Sequence, residues 1–168
     1  METIRNAVEA ATQAVAANPD PGPAPDPTAV ALHEDGLRFR VDGPNGNVTT
    51  DMARAVGGGG TANSPGWLMR AALAACDAST IAMEAARDGI ELDALEVSVE
   101  SESDLRGMLG VDDSVHAGPS AVQTRVRLAA EGADEAMLRA LVERALRRSP
   151  VKDALERTVE TTTEVVVG

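Results

Sequence analysis

The sequence predicts an α+β fold of antiparallel strands set around one long buried helix. Three observations lead there. Residues 64–88 are apolar around most of a helical circumference, which is the pattern of a helix inside a core. Short alternating segments precede and follow that helix. A second amphipathic segment, 134–148, carries Met137, Leu138, Leu141, Val142, Ala145 and Leu146 on one face.

The elements follow in order. Residues 1–17 place Ile4, Ala7, Val8, Ala11, Ala14 and Val15 at helical spacing. Residues 18–27 hold five prolines and read as a semi-rigid connector. Residues 1–27 are therefore expected to form an appendage, docked on the domain or on a partner subunit, and 28–168 the domain itself. Strands are expected at 28–33, 37–41 and 47–52, joined by turns at Glu34-Asp35-Gly36 and at 42–46. The run Gly57 to Gly60 interrupts regular structure and is expected to be a flexible loop over a site. No Gly-Lys-Ser/Thr follows it, so a phosphate loop is excluded.

Ser64-Pro65 marks the start of the long helix, serine as N-cap and proline at the first turn. Gly89 marks its end. Arg70, Asp77 and Glu84 lie seven apart and are expected to form a salt-bridge line. Strands are expected at 95–102 and 121–130, with a long loop between them. Ser149-Pro150 starts a short helix, and 159–167 is expected to be a final strand.

Composition limits the functions open to the chain. Hydrophobic residues make up 43% of the sequence, but aromatics only 1%, Trp67 and Phe39. Small side chains must then pack closely to exclude voids. The formal charge is −12, and Lys152 is the only lysine. Such a surface repels phosphate backbones and anionic membranes, so neither nucleic acid nor a membrane is expected as a partner. No stretch is long and apolar enough to span a bilayer, and no signal peptide is expected. Cys76 is the only cysteine. An internal disulfide is impossible, and a reducing, cytoplasmic location is expected.

The stretch from Ser64 to Cys76, with a proline eleven positions before the cysteine on an alanine-rich helix, resembles the signature of the OsmC/Ohr family. Three further segments stand in that family's order. Gly89-Ile90 opens the strand at Leu95. Asp104-Leu105-Arg106-Gly107-Met108-Leu109-Gly110 resembles its D-x-R-G-x-L-G loop. Ser149-Pro150-Val151 falls where the family carries Cys-Pro-Val.

The resemblance implies an OsmC-like fold, an intertwined homodimer with the two central helices packed together, and sites at the subunit interface near Cys76. It also implies organic hydroperoxide chemistry, in which a thiolate attacks peroxide and becomes sulfenic acid. An arginine and a carboxylate assist, and a second cysteine closes a disulfide. Cys76 matches the first cysteine. Ser149 stands in the second cysteine's place, Gly66 and Trp67 where the carboxylate is expected, and the first turn lacks the family's arginine. Arg38, Arg40 or Arg54 are the alternatives for it.

Two readings follow. One is a thiol-dependent peroxidase using Cys76, a small apolar peroxide and an external thiol reductant. The other is a dimeric binding module for a small apolar ligand, with Met69, Leu73 and Met83 beside Cys76. A buried cysteine on an alanine helix also packs well as a plain hydrophobe, and Ser149 serves as an N-cap under either reading. No cofactor and no metal are expected. Asp112, Asp113 and His116 read as a solvated acidic loop rather than a coordination shell.

Overall fold

A computed structural model describes residues 1–168 except 19 and 21. It contains α1 (Glu2–Ala17), β1 (Val30–Asp35), β2 (Arg38–Gly43), β3 (Gly46–Thr50), α2 (Pro65–Asp88), β4 (Ala94–Ser103), α3 (Leu105–Met108), β5 (Pro119–Ala129), α4 (Glu135–Leu146) and α5 (Pro150–Glu156). Of the expected connector, Pro19 and Pro21 lie outside the described residues; its other residues are exposed and without regular structure. Two compact units emerge: one comprises Met1–Glu9 with Leu73–Gly168, the other Ala10–Ala72.

In the second unit, β1, β2 and β3 form an antiparallel meander, as the turn residues anticipate. The first turn is tighter than expected, because Glu34 and Asp35 remain in β1 and Gly36 turns the chain at φ 52°. His33 is structural: its Nε2 meets the Gly36 carbonyl oxygen at 3.0 Å, and its ring lies 5.4 Å from that of Phe39.

The glycine run is a pinned loop rather than a flexible one. The Asp51 carboxylate accepts from the Gly59 amide at 3.2 Å, the Thr61 amide at 3.0 Å and the Thr61 hydroxyl at 2.8 Å. These donors, Thr61 foremost, hold the Asp51 carboxyl below the usual carboxylate range. The Gly58 amide donates to the Ala53 carbonyl at 3.2 Å and the Gly60 amide to that of Met52 at 3.0 Å. Glycine is required at 58, because a Cβ there would stand 2.0 Å from the Met52 carbonyl oxygen. The composition of the run shows its backbone freedom; it does not show the distant carboxylate that removes it.

In the first unit, β4 and β5 pair antiparallel, with Leu95 opposite Leu128 and Val97 opposite Val126. Their inward side chains pack on a core made by Ile81 and Ala85 of α2 and Leu141 and Ala145 of α4, all fully buried. The two alanines let the helices approach closely, in keeping with a chain that has few large side chains. Arg5 of α1 donates to the Ala86 carbonyl at 2.8 Å, and Met1 packs on the same core. The start of the first helix is thus docked in this unit.

Helix α2 starts and stops as its sequence indicates. The Trp67 amide donates to the Ser64 hydroxyl oxygen at 3.2 Å, and Gly89 adopts φ 72°. Its orientation, however, reverses the simple reading. The buried residues are Leu73, Asp77, Ile81, Glu84, Ala85 and Ala86. Two of the three polar stripe residues therefore face inward. Ala75, Ser79 and Met83 lie on the exposed side.

Glu84 behaves as a salt-bridge residue. It receives Arg87 at 2.7 Å and Arg144 at 3.3 Å, and also pairs with Arg148. Arg144 reaches Asp88 as well, so α2 and α4 are clamped by charge above their apolar seam. Asp77 departs from the expected line. It is fully buried, and neither carboxylate oxygen holds a hydrogen bond.

The expected final strand at 159–167 does not form. A strand needs a neighbour for its ladder, and no strand among the described residues pairs with this segment. Val165, Val166 and Val167 are 79%, 85% and 89% exposed. No helix among the described residues is long and apolar enough to cross a membrane.

Candidate functional site

Cys76 lies on α2 and is half-buried. Ser149 lies at the junction of α4 and α5 and is fully buried. The two are 73 residues apart in sequence, yet the Ser149 hydroxyl donates to the Cys76 sulfur at 3.3 Å. Two local features produce this meeting. The Ile81–Leu141 core fixes α4 against α2. At the end of α4, Ser149 caps α5, its oxygen accepting from the Lys152 amide at 3.4 Å. One hydroxyl thus serves both as the helix cap and as a donor to sulfur. A hydroxyl supplies one donor hydrogen and two acceptor lone pairs, so both bonds are compatible.

Asp77 follows Cys76 directly on α2. Burial pushes its carboxyl above the usual range, and the Lys152 charge pulls it back. The sequence sets Asp77 in an intra- or intersubunit salt-bridge line; its full burial without a hydrogen bond was not anticipated. The available signal was its spacing: Asp77 is four residues from both Leu73 and Ile81, which sets it on the core-facing side.

The remaining expected site residues fall as follows. Leu73 is buried in the core-facing side of α2, whereas Met83 is 41% exposed. Met69, Cys76 and Met83 recur every seven residues along the helix and so share one face of it. Arg38, Arg40 and Arg54 lie in the meander unit, each already engaged. Arg38 donates to Glu34 at 3.0 Å and to the Thr61 hydroxyl at 2.7 Å. Arg40 makes a two-point pair with Asp42 at 2.9 and 3.1 Å. Arg54 donates to the Gly59 carbonyl at 3.1 Å.

Two other features have structural explanations. Arg106 pairs with Asp104 at 2.6 Å and with Asp112 at 3.5 Å, fixing the loop that carries them. Asp112 also accepts from the Ser114 amide and hydroxyl, and no group of three His, Cys, Asp or Glu among the described residues is arranged to hold a metal. A groove of about 730 Å³ is lined by Val126, Arg127 and Leu128 of β5 and by Glu135, Leu138 and Val142 of α4. Cys76 does not line it.

Comparison with known proteins gives a consistent result. The family model described as OsmC-like protein matches residues 57–164. No curated protein matches the chain. Among solved structures, an OsmC-like protein from Mycoplasma pneumoniae superposes with a TM-score of 0.64 at 18% identity, over 80% of this chain and 88% of that one. An organic hydroperoxide resistance protein OsmC from Legionella pneumophila matches with a TM-score of 0.52 at 26% identity, over 76% and 88%. A putative organic hydroperoxide resistance protein from Vibrio cholerae, with captopril bound in one of its active sites, matches with a TM-score of 0.53 at 20% identity, over 81% and 88%. The family match covers the central helix, the Asp104–Arg106 loop and the Ser149 cap, and the α+β fold agrees with it: the chain belongs to the OsmC-like family.

Proposed function

We propose that this protein is a one-cysteine, thiol-dependent reductase of organic hydroperoxides, with Cys76 as its nucleophile. The carrying observation is the Ser149 hydroxyl, which donates to the Cys76 sulfur at 3.3 Å. A donor at that distance stabilises a thiolate more than a thiol, because a hydrogen bond to a charged acceptor is the stronger one. The thiolate attacks the outer oxygen of the hydroperoxide. An S–O bond forms, the O–O bond breaks, and the products are Cys76 sulfenic acid and an alcohol.

Ser149 cannot condense with that sulfenic acid to give a disulfide. An external thiol must do so, forming a mixed disulfide and water, and a second thiol then releases Cys76. Turnover without a resolving cysteine suits a weak activity in a reducing cytoplasm. Arg38, Arg40 and Arg54 are the candidates to polarise the peroxide, and each must first leave its present partner.

The working unit in this reading is a homodimer. The first strand is exposed along its whole length, the Ala75–Ser79–Met83 side of α2 is uncovered or nearly so, and residues 159–167 hold a valine-rich segment without a ladder partner. A second copy would cover such surfaces and set Met69 and Met83 around Cys76 in an apolar site.

The test is mass spectrometry of Cys76 after exposure to cumene hydroperoxide, followed by a dithiol chase. Sulfenic acid formed on Cys76 and removed by dithiol supports the reading, as does loss of turnover in Cys76→Ser. Turnover that persists in Cys76→Ser sinks it.

A binding module without redox chemistry is the second reading. The observation favouring it is that Arg38, Arg40 and Arg54 are each already engaged, by Glu34, by Asp42 and by the Gly59 carbonyl. The Vibrio cholerae relative holds a small organic molecule in an active site, and this chain would do the same with a small apolar ligand. Cys76 that stays unoxidised under peroxide, together with a copurifying ligand, would decide for it.

A further inference from the structure

Cys76 has no second cysteine to close on, but one amine is tethered next to it. Lys152 is the only lysine of the chain. Its backbone amide donates to the Ser149 oxygen at 3.4 Å, and the Ser149 hydroxyl donates to the Cys76 sulfur at 3.3 Å. A single hydroxyl therefore separates the Lys152 backbone from the sulfur. Lys152 lies in the first turn of α5, which Ser149 caps. The Cα–Cβ bond of a helical residue tilts toward the helix N-terminus, so the Lys152 stem sets out toward the Ser149 end. A flexible four-carbon stem with a reach of about 6 Å can then bring the amine to the sulfur.

The present partner of the ammonium holds it weakly. Lys152 pairs with Glu156, whose side chain is 64% exposed. Lysine also stands N-terminal to glutamate, the less favourable order for such a pair on a helix. Asp77 offers the opposite pull. It directly follows Cys76, is fully buried, and neither carboxylate oxygen holds a hydrogen bond among the described residues. A buried carboxylate in that state lacks a donor, and the Lys152 charge already acts on it. An ammonium turned from Glu156 to Asp77 supplies the donor and arrives beside the sulfur.

We propose that Lys152 takes the place of the missing resolving cysteine: its amine condenses with the sulfenic acid of Cys76 to form a reversible S–N bond. The sulfenic acid itself rests on the peroxidase reading. Sulfenic acids condense with nitrogen as well as with thiols. Asp77 is the positioning residue that draws the amine in.

The chemical step balances. The Lys152 ammonium gives one proton to the Asp77 carboxylate. The free amine attacks the sulfur, an S–N bond forms and the S–O bond breaks. The leaving hydroxide takes a proton from the nitrogen and departs as water. Sulfur keeps its oxidation state, so no oxidant is needed beyond the hydroperoxide that made the sulfenic acid. An external thiol then opens the S–N bond to a mixed disulfide and an amine, which recovers its proton from Asp77. A second thiol releases Cys76. While no thiol is at hand, the link keeps the sulfur from oxidation to sulfinic acid.

The test treats the full chain and Lys152→Arg with one equivalent of cumene hydroperoxide without thiol, then with dimedone, which labels sulfenic acids. Mass spectrometry reads both. Lys152→Arg keeps the positive charge of α5 but removes the primary amine. The full chain should end about 2 Da lighter than the reduced protein, the loss of two hydrogens. After trypsin the peptides bearing Cys76 and Lys152 should be joined, and dithiothreitol should separate them. In Lys152→Arg the joined peptides should be absent and dimedone labelling of Cys76 about tenfold higher, since the sulfenic acid then persists. Dimedone-labelled Cys76 in the full chain without joined peptides overturns the S–N bond and leaves the peroxidase reading standing. The same mass loss persisting in Lys152→Arg overturns it too, because another nitrogen then closes the bond. Cys76 that resists peroxide in both proteins overturns the S–N bond together with the peroxidase reading.

Discussion

The Ser149 hydroxyl lies 3.3 Å from the Cys76 sulfur, although 73 residues separate the two in sequence. A hydroxyl there donates to the sulfur and accepts from the Lys152 amide, but it cannot form a disulfide.

Ser149→Cys should accordingly close a disulfide with Cys76. Sulfur at that position would approach Cys76 closely enough to condense with its sulfenic acid. The expected outcome is loss of both titratable thiols after one equivalent of peroxide, reversed by dithiothreitol, with the chain running faster on a non-reducing gel. Two free thiols persisting in the folded, peroxide-treated variant would show that the two positions do not meet in solution.

Glu84 is the charged residue on which the α2–α4 seam depends. Burial alone would raise its carboxyl, but Arg148 and Arg144, with Arg87, hold it below the ordinary value of 4.5. A carboxyl with a depressed folded-state value contributes stability that is full above its ordinary value and lost as pH falls through the folded one. Glu84→Gln should cost roughly 3 kcal/mol at neutral pH, the low end for breaking a buried ion pair. Chemical denaturation at neutral pH and again in acid checks this, because the gap between variant and parent should close in acid.

Gly58→Ala should destabilise the meander unit by about 3 kcal/mol, the upper range for a forced close contact. The added methyl would enter the space of the Met52 carbonyl oxygen, and backbone cannot yield as a flexible side chain can. Hydrogen exchange at Gly59 and Thr61 provides a local readout. Amide protection there should drop, since both amides depend on Asp51 holding the loop. Unchanged protection would mean that the loop does not need the close approach.

Much of the architecture follows from local rules. The Ser64 cap, the Gly89 stop, the β4–β5 alternation and the Ser149 cap each depend on a few neighbouring residues, and each appears where the sequence places it. The site was legible in part: the Cys76 and Ser149 positions could be read from the family resemblance, but their separation could not.

What the sequence determined by itself was most of the elements and the chemistry on offer, a single thiol and the capping hydroxyls of Ser64 and Ser149. Tertiary structure decided which face of α2 turns inward, and with it the fates of Glu84 and Asp77. It also decided that Asp51 pins the glycine loop and that residues 159–167 lack a ladder partner among the described residues. The reason is physical. Caps and alternation are satisfied by residues a few positions apart, whereas burial, ion pairing and strand pairing depend on groups that only folding brings together.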